Sequence, residues 1–249
     1  MVSDELIIHT KSTGSTNRDM AALIAQYQQQ NLQLPNFQTI IASYQENGRG
    51  QGTNCWHSEA GKNLLTTIHF VPPVPASQQF RFNQYFALAV RRMLLPHCPD
   101  VKIKWPNDIY VGDRKIAGIL IEHSVVGDRL AHTLAGIGLN VNEKDFPSDL
   151  PNPISLAQIT GLHYDIDEIA AQLLAQCMDM YGLMESACAA DLADEYLANM
   201  YRMRMWAQYE IAGRTLQARI LGVDPYGRLL LEDRNGNEYC CGMKEVKFR

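Results

Sequence analysis

Apolar positions recur with two different periods along this chain. Alternating or β-branched runs predict strands over 6–9, 39–44 and 63–70, whereas 17–30 and 77–95 repeat every three to four residues and predict helices. A Ser/Thr/Gly loop over 12–16 supplies a polar cap to the first helix. The 39–44 and 63–70 strands are expected to form a hairpin around a long glycine-rich connection, and Pro72-Pro73-Val74-Pro75 interrupts the chain before the second helix. Further strands are predicted over 101–104, 109–111, 115–123 and 129–140, with a turn at Gly112-Asp113. Helical spacing returns over 165–185 and 190–204, with Asp165 and Asp167 at the positive end of the first of these helices and Asp191 and Asp194 near the start of the second. From about Gln208 the pattern shifts to short strands, 209–212, 215–223, 228–233 and 238–242, separated by turns at Pro225-Tyr226-Gly227 and Asn235-Gly236. The expected fold class is α+β, with a mixed sheet and flanking helices over 1–206 and a small β-barrel domain over 207–249.

Composition narrows what such a chain does. No apolar run approaches the roughly 20 residues of a membrane-spanning helix, and the N-terminus opens with acid where a signal peptide carries lysine or arginine, so the expected compartment is the cytoplasm. A net charge of −5 argues against an extended nucleic-acid surface. Cys55, Cys98, Cys177, Cys188, Cys240 and Cys241 show neither paired zinc spacing nor disulfide density and are expected as reduced thiols, with Cys240-Cys241 alternating between barrel surface and interior. The histidines likewise lack the spacing of metal ligands.

Two segments carry candidate chemistry. The loop Gly48-Arg49-Gly50-Gln51-Gly52-Thr53-Asn54 lets backbone N–H groups approach a phosphate while the guanidinium supplies charge and a planar fork. It is neither a Walker loop, having no Gly-Lys-Ser/Thr, nor a dinucleotide fingerprint, since a strand follows it. A plain hairpin connection using glycine for its turns is the alternative. Lys104-Trp105-Pro106-Asn107-Asp108 places a cation at a strand end, then a rigid step, then two oxygen-bearing side chains suited to a hydrated Mg²⁺. Here the alternative is a core Trp105, a turn over 106–108 and a solvated Lys104. Lys115 offers a second cation.

These blocks, in order, resemble a biotin–protein ligase: Ser15-Thr16-Asn17, Gly48 to Trp56 continuing through Ser58, Gly61, Asn63 and Leu64, the Lys104 to Asp108 pentapeptide, Arg114 to Leu120, and Gly136 to Asn142. Gly222-Val223-Asp224 and Gly227-Arg228-Leu229 extend the likeness to the tail. The resemblance implies a catalytic domain of the biotin–lipoate ligase type, similar to class II aminoacyl-tRNA synthetases, with a C-terminal SH3-like barrel. It implies that biotin is activated with MgATP to biotinoyl-AMP and passed to a lysine of a biotin carboxyl carrier domain, by a monomer or homodimer. Biotin would be bound by Ser15, Thr16, Asn17, Gln45, Gly48, Arg49, Lys104, Gly118 and Leu120, and ATP by Arg49, Gly50, Trp56, Asn107, Lys115 and Asn140. Lys104 and Arg49 would be catalytic, and Asn107 would meet the Mg²⁺.

The chain departs from the family where further arginines often follow the first: here stand Gln51, Gly52, Thr53 and Asn54, which predicts weaker holding of the adenylate. The signature begins about ten residues from Met1, so the helix-turn-helix that some members carry in front, and repression of transcription with it, is not expected. Alternatives are a lipoate–protein ligase or octanoyl transferase of the same fold, a non-catalytic biotin-binding protein, and a nucleic-acid-binding barrel, the last disfavoured by the acidic charge.

Overall fold

A computed structural model of the protein describes residues 4–52, 54–184 and 189–249. Thr53 and Cys188 lie outside the described residues. β1 (Ile7–Thr10), β2 (Thr39–Ala42), β3 (Leu64–Phe70), β4 (Val101–Lys104), β5 (Asp108–Val111), β6 (Arg114–Val126) and β7 (Arg129–Leu139) form one mixed sheet in the order β1-β2-β3-β7-β6-β5-β4. β1 runs parallel to β2, and every other pair is antiparallel. The expected 39–44/63–70 hairpin is the β2–β3 pair, and its long connection carries the glycine-rich loop.

Helices cover the two faces unequally. α1 (Thr16–Gln29) lays Met20 and Ile24 against Leu34, Ile40 and Leu134. On the other face α2 (Gln79–Leu94) has apolar residues almost all round, with Phe82, Tyr85, Phe86, Leu88 and Val90 at 0% exposure, which is the pattern of a helix enclosed by neighbours. α4 (Ile166–Met180) and α5 (Ala189–Ala198) pack against it. Asp165 caps α4 by accepting from the N–H groups of Asp167 and Glu168, so the acids at this helix start are structural.

Sequence and structure part in three places. The short α3 (Leu156–Thr160) was not predicted, although Ser155 and Gln158 form a reciprocal capping box at its start. α5 stops at Ala198 rather than running to 204: Met200 bridges to Ile103, Met203 bridges to Ile220, and Arg202 and Arg204 take left-handed φ of 58° and 59°. The tail has a fifth strand beyond the predicted four. β8 (Trp206–Ile211), β9 (Arg214–Val223), β10 (Leu229–Asp233), β11 (Glu238–Cys241) and β12 (Val246–Phe248) form the SH3-like antiparallel sheet in the order β11-β10-β9-β8-β12. Cys241 is buried and Cys240 exposed, as the alternation requires.

The two sheets share one apolar core. Tyr209, Ile211, Ala218, Ile220, Leu229 and Leu231 belong to the same cluster as Phe86, Val101 and Trp105. Trp105 Nε1 donates to the Gly227 carbonyl at 2.9 Å, so this tryptophan is a core residue, as the plainer reading of its pentapeptide had it. The turn, however, covers 105–107 rather than 106–108, because Asp108 already pairs with Lys104 as the first residue of β5. No helix among the described residues is long and apolar enough to cross a membrane.

Candidate active site

The face of the large sheet that carries α1 has a cavity whose floor is opened by three glycines, Gly118, Gly136 and Gly138. Antiparallel register sets Gly118 opposite Gly138 and Leu120 opposite Gly136, with Leu65 and Thr67 beyond them on β3. Glycine is required here by close approach. A Cβ on Gly138 would stand 2.2 Å from the Trp56 ring, one on Gly136 2.3 Å from Asn17 Oδ1, and one on Gly118 2.9 Å from Trp56.

A belt of polar groups surrounds this floor. Ser15 caps α1 in extended conformation without a side-chain cap bond; instead Gln45 Oε1 accepts from the Thr16 N–H at 2.8 Å and lies 3.2 Å from the Thr16 hydroxyl. The Thr67 hydroxyl lies 2.8 Å from Thr16 Oγ1 and 2.6 Å from Asn17 Oδ1, and has one proton to give to either. Asn17 Nδ2 donates to Glu122 Oε2 at 2.7 Å, and Arg49 Nη1 donates to Glu122 Oε1 at 3.1 Å. Gln45 and Arg49 both belong to the β2–β3 connection, so the belt closes on itself.

A second cavity adjoins the first and has an apolar side made by Phe146, Leu150, Pro151 and Pro153. Trp56, Asp108 and Lys115 line both cavities. Lys115 Nζ lies 2.8 Å from Asp108 Oδ1 and 5.7 Å from the centre of the Trp56 ring, so one cation stands in the shared wall. Trp56 Nε1 is buried without a hydrogen-bond partner.

Most of the residues singled out in the sequence meet here: Ser15, Thr16, Asn17, Gln45, Arg49, Gly50, Trp56, Asn107, Lys115, Gly118 and Leu120 all line the first cavity. Two expectations need correction, those for Lys104 and Gly48. Lys104 stands in register with Asp108 but one strand outside the cavity, and lines neither; its Nζ donates to the Tyr110 hydroxyl at 2.9 Å and lies 4.6 and 5.1 Å from the Tyr110 and Phe248 ring centres. Gly48 serves the loop itself, since a Cβ there would stand 2.5 Å from the Trp56 carbonyl oxygen. Asn140 borders the second cavity, and its amide donates to the Ile154 carbonyl at 3.0 Å. Asn107 and Asp108 both line the first cavity; the Asn107 amide donates to the Ile119 carbonyl, and Asp108 Oδ1 pairs with Lys115, which leaves the Asn107 amide oxygen and the second Asp108 oxygen as oxygen donors in this segment. No cluster of three His, Cys, Asp or Glu side chains suited to a metal ion occurs among the described residues.

Residues 10–140, more than half of the chain, match the model of the biotin/lipoate A/B protein ligase family. The chain belongs to that family. Among curated relatives, the bifunctional ligase/repressor BirA of Bacillus spizizenii is 28% identical over 218 residues, covering 81% of this chain. The chain spans 63% of that relative's length. The biotin–[acetyl-CoA-carboxylase] ligase of Mycobacterium tuberculosis is 26% identical over 226 residues, covering 88% of this chain and 80% of its own. The biotin protein ligase of Aquifex aeolicus, solved in complex with biotin and ATP, superposes with a TM-score of 0.78 over 98% of each chain at 19% identity, and so shares the fold.

Within this ligase-family site, sequence reasoning missed Thr67 and Glu122. Both were findable. Thr67 lies beneath Thr16 and Asn17, on the same sheet face as Gly136 and Gly138, in a strand that was predicted, and Glu122 follows Gly118 and Leu120 at the strand period of two.

Proposed function

We propose that this family member is a biotin–protein ligase: it joins biotin to AMP at the expense of MgATP, then passes the acyl group to a lysine of a biotin carboxyl carrier domain in the cytoplasm. The observation that carries the reading is the pair of cavities sharing a wall that holds Lys115. The glycine floor leaves room for a compact fused bicyclic ring, and the hydroxyls and amides of Ser15, Thr16, Asn17 and Gln45 offer donors and acceptors to a ureido group at one end. The apolar side of the second cavity suits a purine, with Trp56 between the two ligands.

In this arrangement the acid's carboxylate and the α-phosphate of ATP meet beside Lys115. A carboxylate oxygen attacks the α-phosphorus, the bond to pyrophosphate breaks, and the Lys115 ammonium and Arg49 guanidinium offset the negative charge gathered there. Lys115 takes the role expected of Lys104, because its ammonium is the one at the junction. Magnesium arrives with ATP as part of the substrate. In the second step the acceptor lysine's amine attacks the carbonyl of the mixed anhydride, and AMP leaves.

Incubation with biotin, MgATP and a carrier domain, with lipoate in a parallel tube, tests the reading. An ATP-dependent mass increase of one biotin on the carrier supports it; a lipoyl increase alone reassigns the substrate, and biotin binding without AMP release leaves a non-catalytic binder. Lys115→Ala is expected to slow adenylate formation by about 10²–10³-fold, the usual cost of one charge-stabilising donor. Lys104→Ala should stay within about tenfold of wild type. The reverse order would return the catalytic role to Lys104.

A further inference from the structure

Along β6 the cavity face is occupied by Gly118, Leu120 and then Glu122. The first two pave the cavity; the third brings a carboxylate to its rim. Its two oxygens serve different elements, Oε2 accepting from Asn17 at the start of α1 at 2.7 Å and Oε1 from Arg49 in the glycine-rich loop at 3.1 Å. Side-chain exposures of 41% for Arg49 and 37% for Glu122 make this a solvent-screened pair, of the kind that adds little to folding stability. Orientation is what it does supply. The contact uses one guanidinium N–H out of five, leaving the rest of the fork for an anion.

Resting on the reading of this cavity as an acid-activating site, we propose that Glu122 is a positioning residue for that reaction. It holds Arg49 by one nitrogen so that the free edge of the guanidinium meets the carboxylate and phosphate of the acyl adenylate. Because the same carboxylate holds Asn17, the pose of the anion-binding loop is tied to the residue that meets the acid's polar end. The chain lacks the further arginines expected after Arg49, so the placing of this single fork sets how well the adenylate is kept.

The test uses the full chain and two readouts: biotin-dependent ATP–pyrophosphate exchange, and retention of labelled adenylate through rapid gel filtration. Glu122→Ala should raise the biotin KM and shorten adenylate retention by about tenfold each, with kcat within about threefold of wild type. Glu122→Gln keeps an acceptor for Asn17 but loses the charge facing Arg49, and should fall between the two. In an Arg49→Ala background the Glu122→Ala effect on retention should shrink to the part carried by the Asn17 contact, since the rest acts through Arg49. The proposal is overturned by wild-type KM and retention in Glu122→Ala, by an undiminished effect in the Arg49→Ala background, or by kcat and thermal stability falling together in both Glu122 variants, which marks a folding role. A wild-type chain without exchange on biotin or lipoate removes the reading of the cavity itself, and this role with it.

Discussion

Gly138 shows how a single hydrogen atom shapes the site. A methyl group there would stand 2.2 Å from a Trp56 ring carbon, so Gly138→Ala must push the indole off the floor and out of the wall between the cavities. Overpacking of this kind costs about 1–3 kcal/mol. The expected outcome is a lowered Tm and at least a tenfold loss of adenylate formation, with Trp56→Ala restoring the Tm of the double variant but not its activity. A Tm unchanged by Gly138→Ala would show that Trp56 has room elsewhere. At this scale the sequence was legible where a residue's own chemistry marked it, as for Arg49 in its glycine-rich loop, and where the family resemblance marked it, as for Gly118 and Leu120. It misled at Lys104 against Lys115, because two lysines flanking one hairpin look alike until the sheet shows which ammonium reaches the shared wall and which reaches Tyr110 and Phe248.

At the scale of elements, β12 ties the small sheet to the large one. Phe248 stacks edge-on with Tyr209 at 5.1 Å, lies 6.5 Å from Tyr201, and receives the Lys104 ammonium on its face. Phe248→Ala should therefore cost about 2 kcal/mol from lost apolar burial and loosen Tyr110, which borders the second cavity. Chemical denaturation checks the first, and a raised KM for ATP with an unchanged KM for biotin checks the second. An unaltered midpoint would mean that β12 is held by its backbone pairing with β8 alone. Long periodic elements were readable from sequence, and so was the alternating four-residue β4, to the residue. β12 and α3 were not, since three and five residues cannot express a period, and α5 was overextended because Met200 and Met203 keep helical spacing while serving strand-like contacts.

The whole molecule combines a continuous core with a chain of neutral histidines near α1. His69 Nδ1 donates to the Pro35 carbonyl at 2.9 Å, leaving its Nε2 to accept from His132 Nδ1 at 2.9 Å, while Gln28 approaches His132 Nε2 at 3.1 Å. Burial pushes His69 and His132 down from the usual 6.5, and His123 down to about 4. The unfolded chain then takes up protons first, so stability is complete above pH 6.5 and falls as pH drops below it towards about 4. For His123 the loss is roughly 1–2 kcal/mol after allowing for partial screening. Denaturant midpoints measured at pH 7.5 and 5 should separate, and His123→Gln should narrow the gap; equal midpoints would mean that these rings are protonated as readily folded as unfolded. Asp233, held down to about 2 by Asn237, acts in a more acidic window and does not blur the comparison.

A floor made of glycines also decides where novelty can enter this molecule. Any added side chain at Gly118, Gly136 or Gly138 collides with Trp56, Lys115 or Asn17, so the base of the cavity is closed to mutational exploration. Its borders are open: Gln51 and Asn54 line it without filling it. A library built to make the site accept an acid of another outline belongs at those borders, where selection can remodel the perimeter while the ground beneath stays fixed.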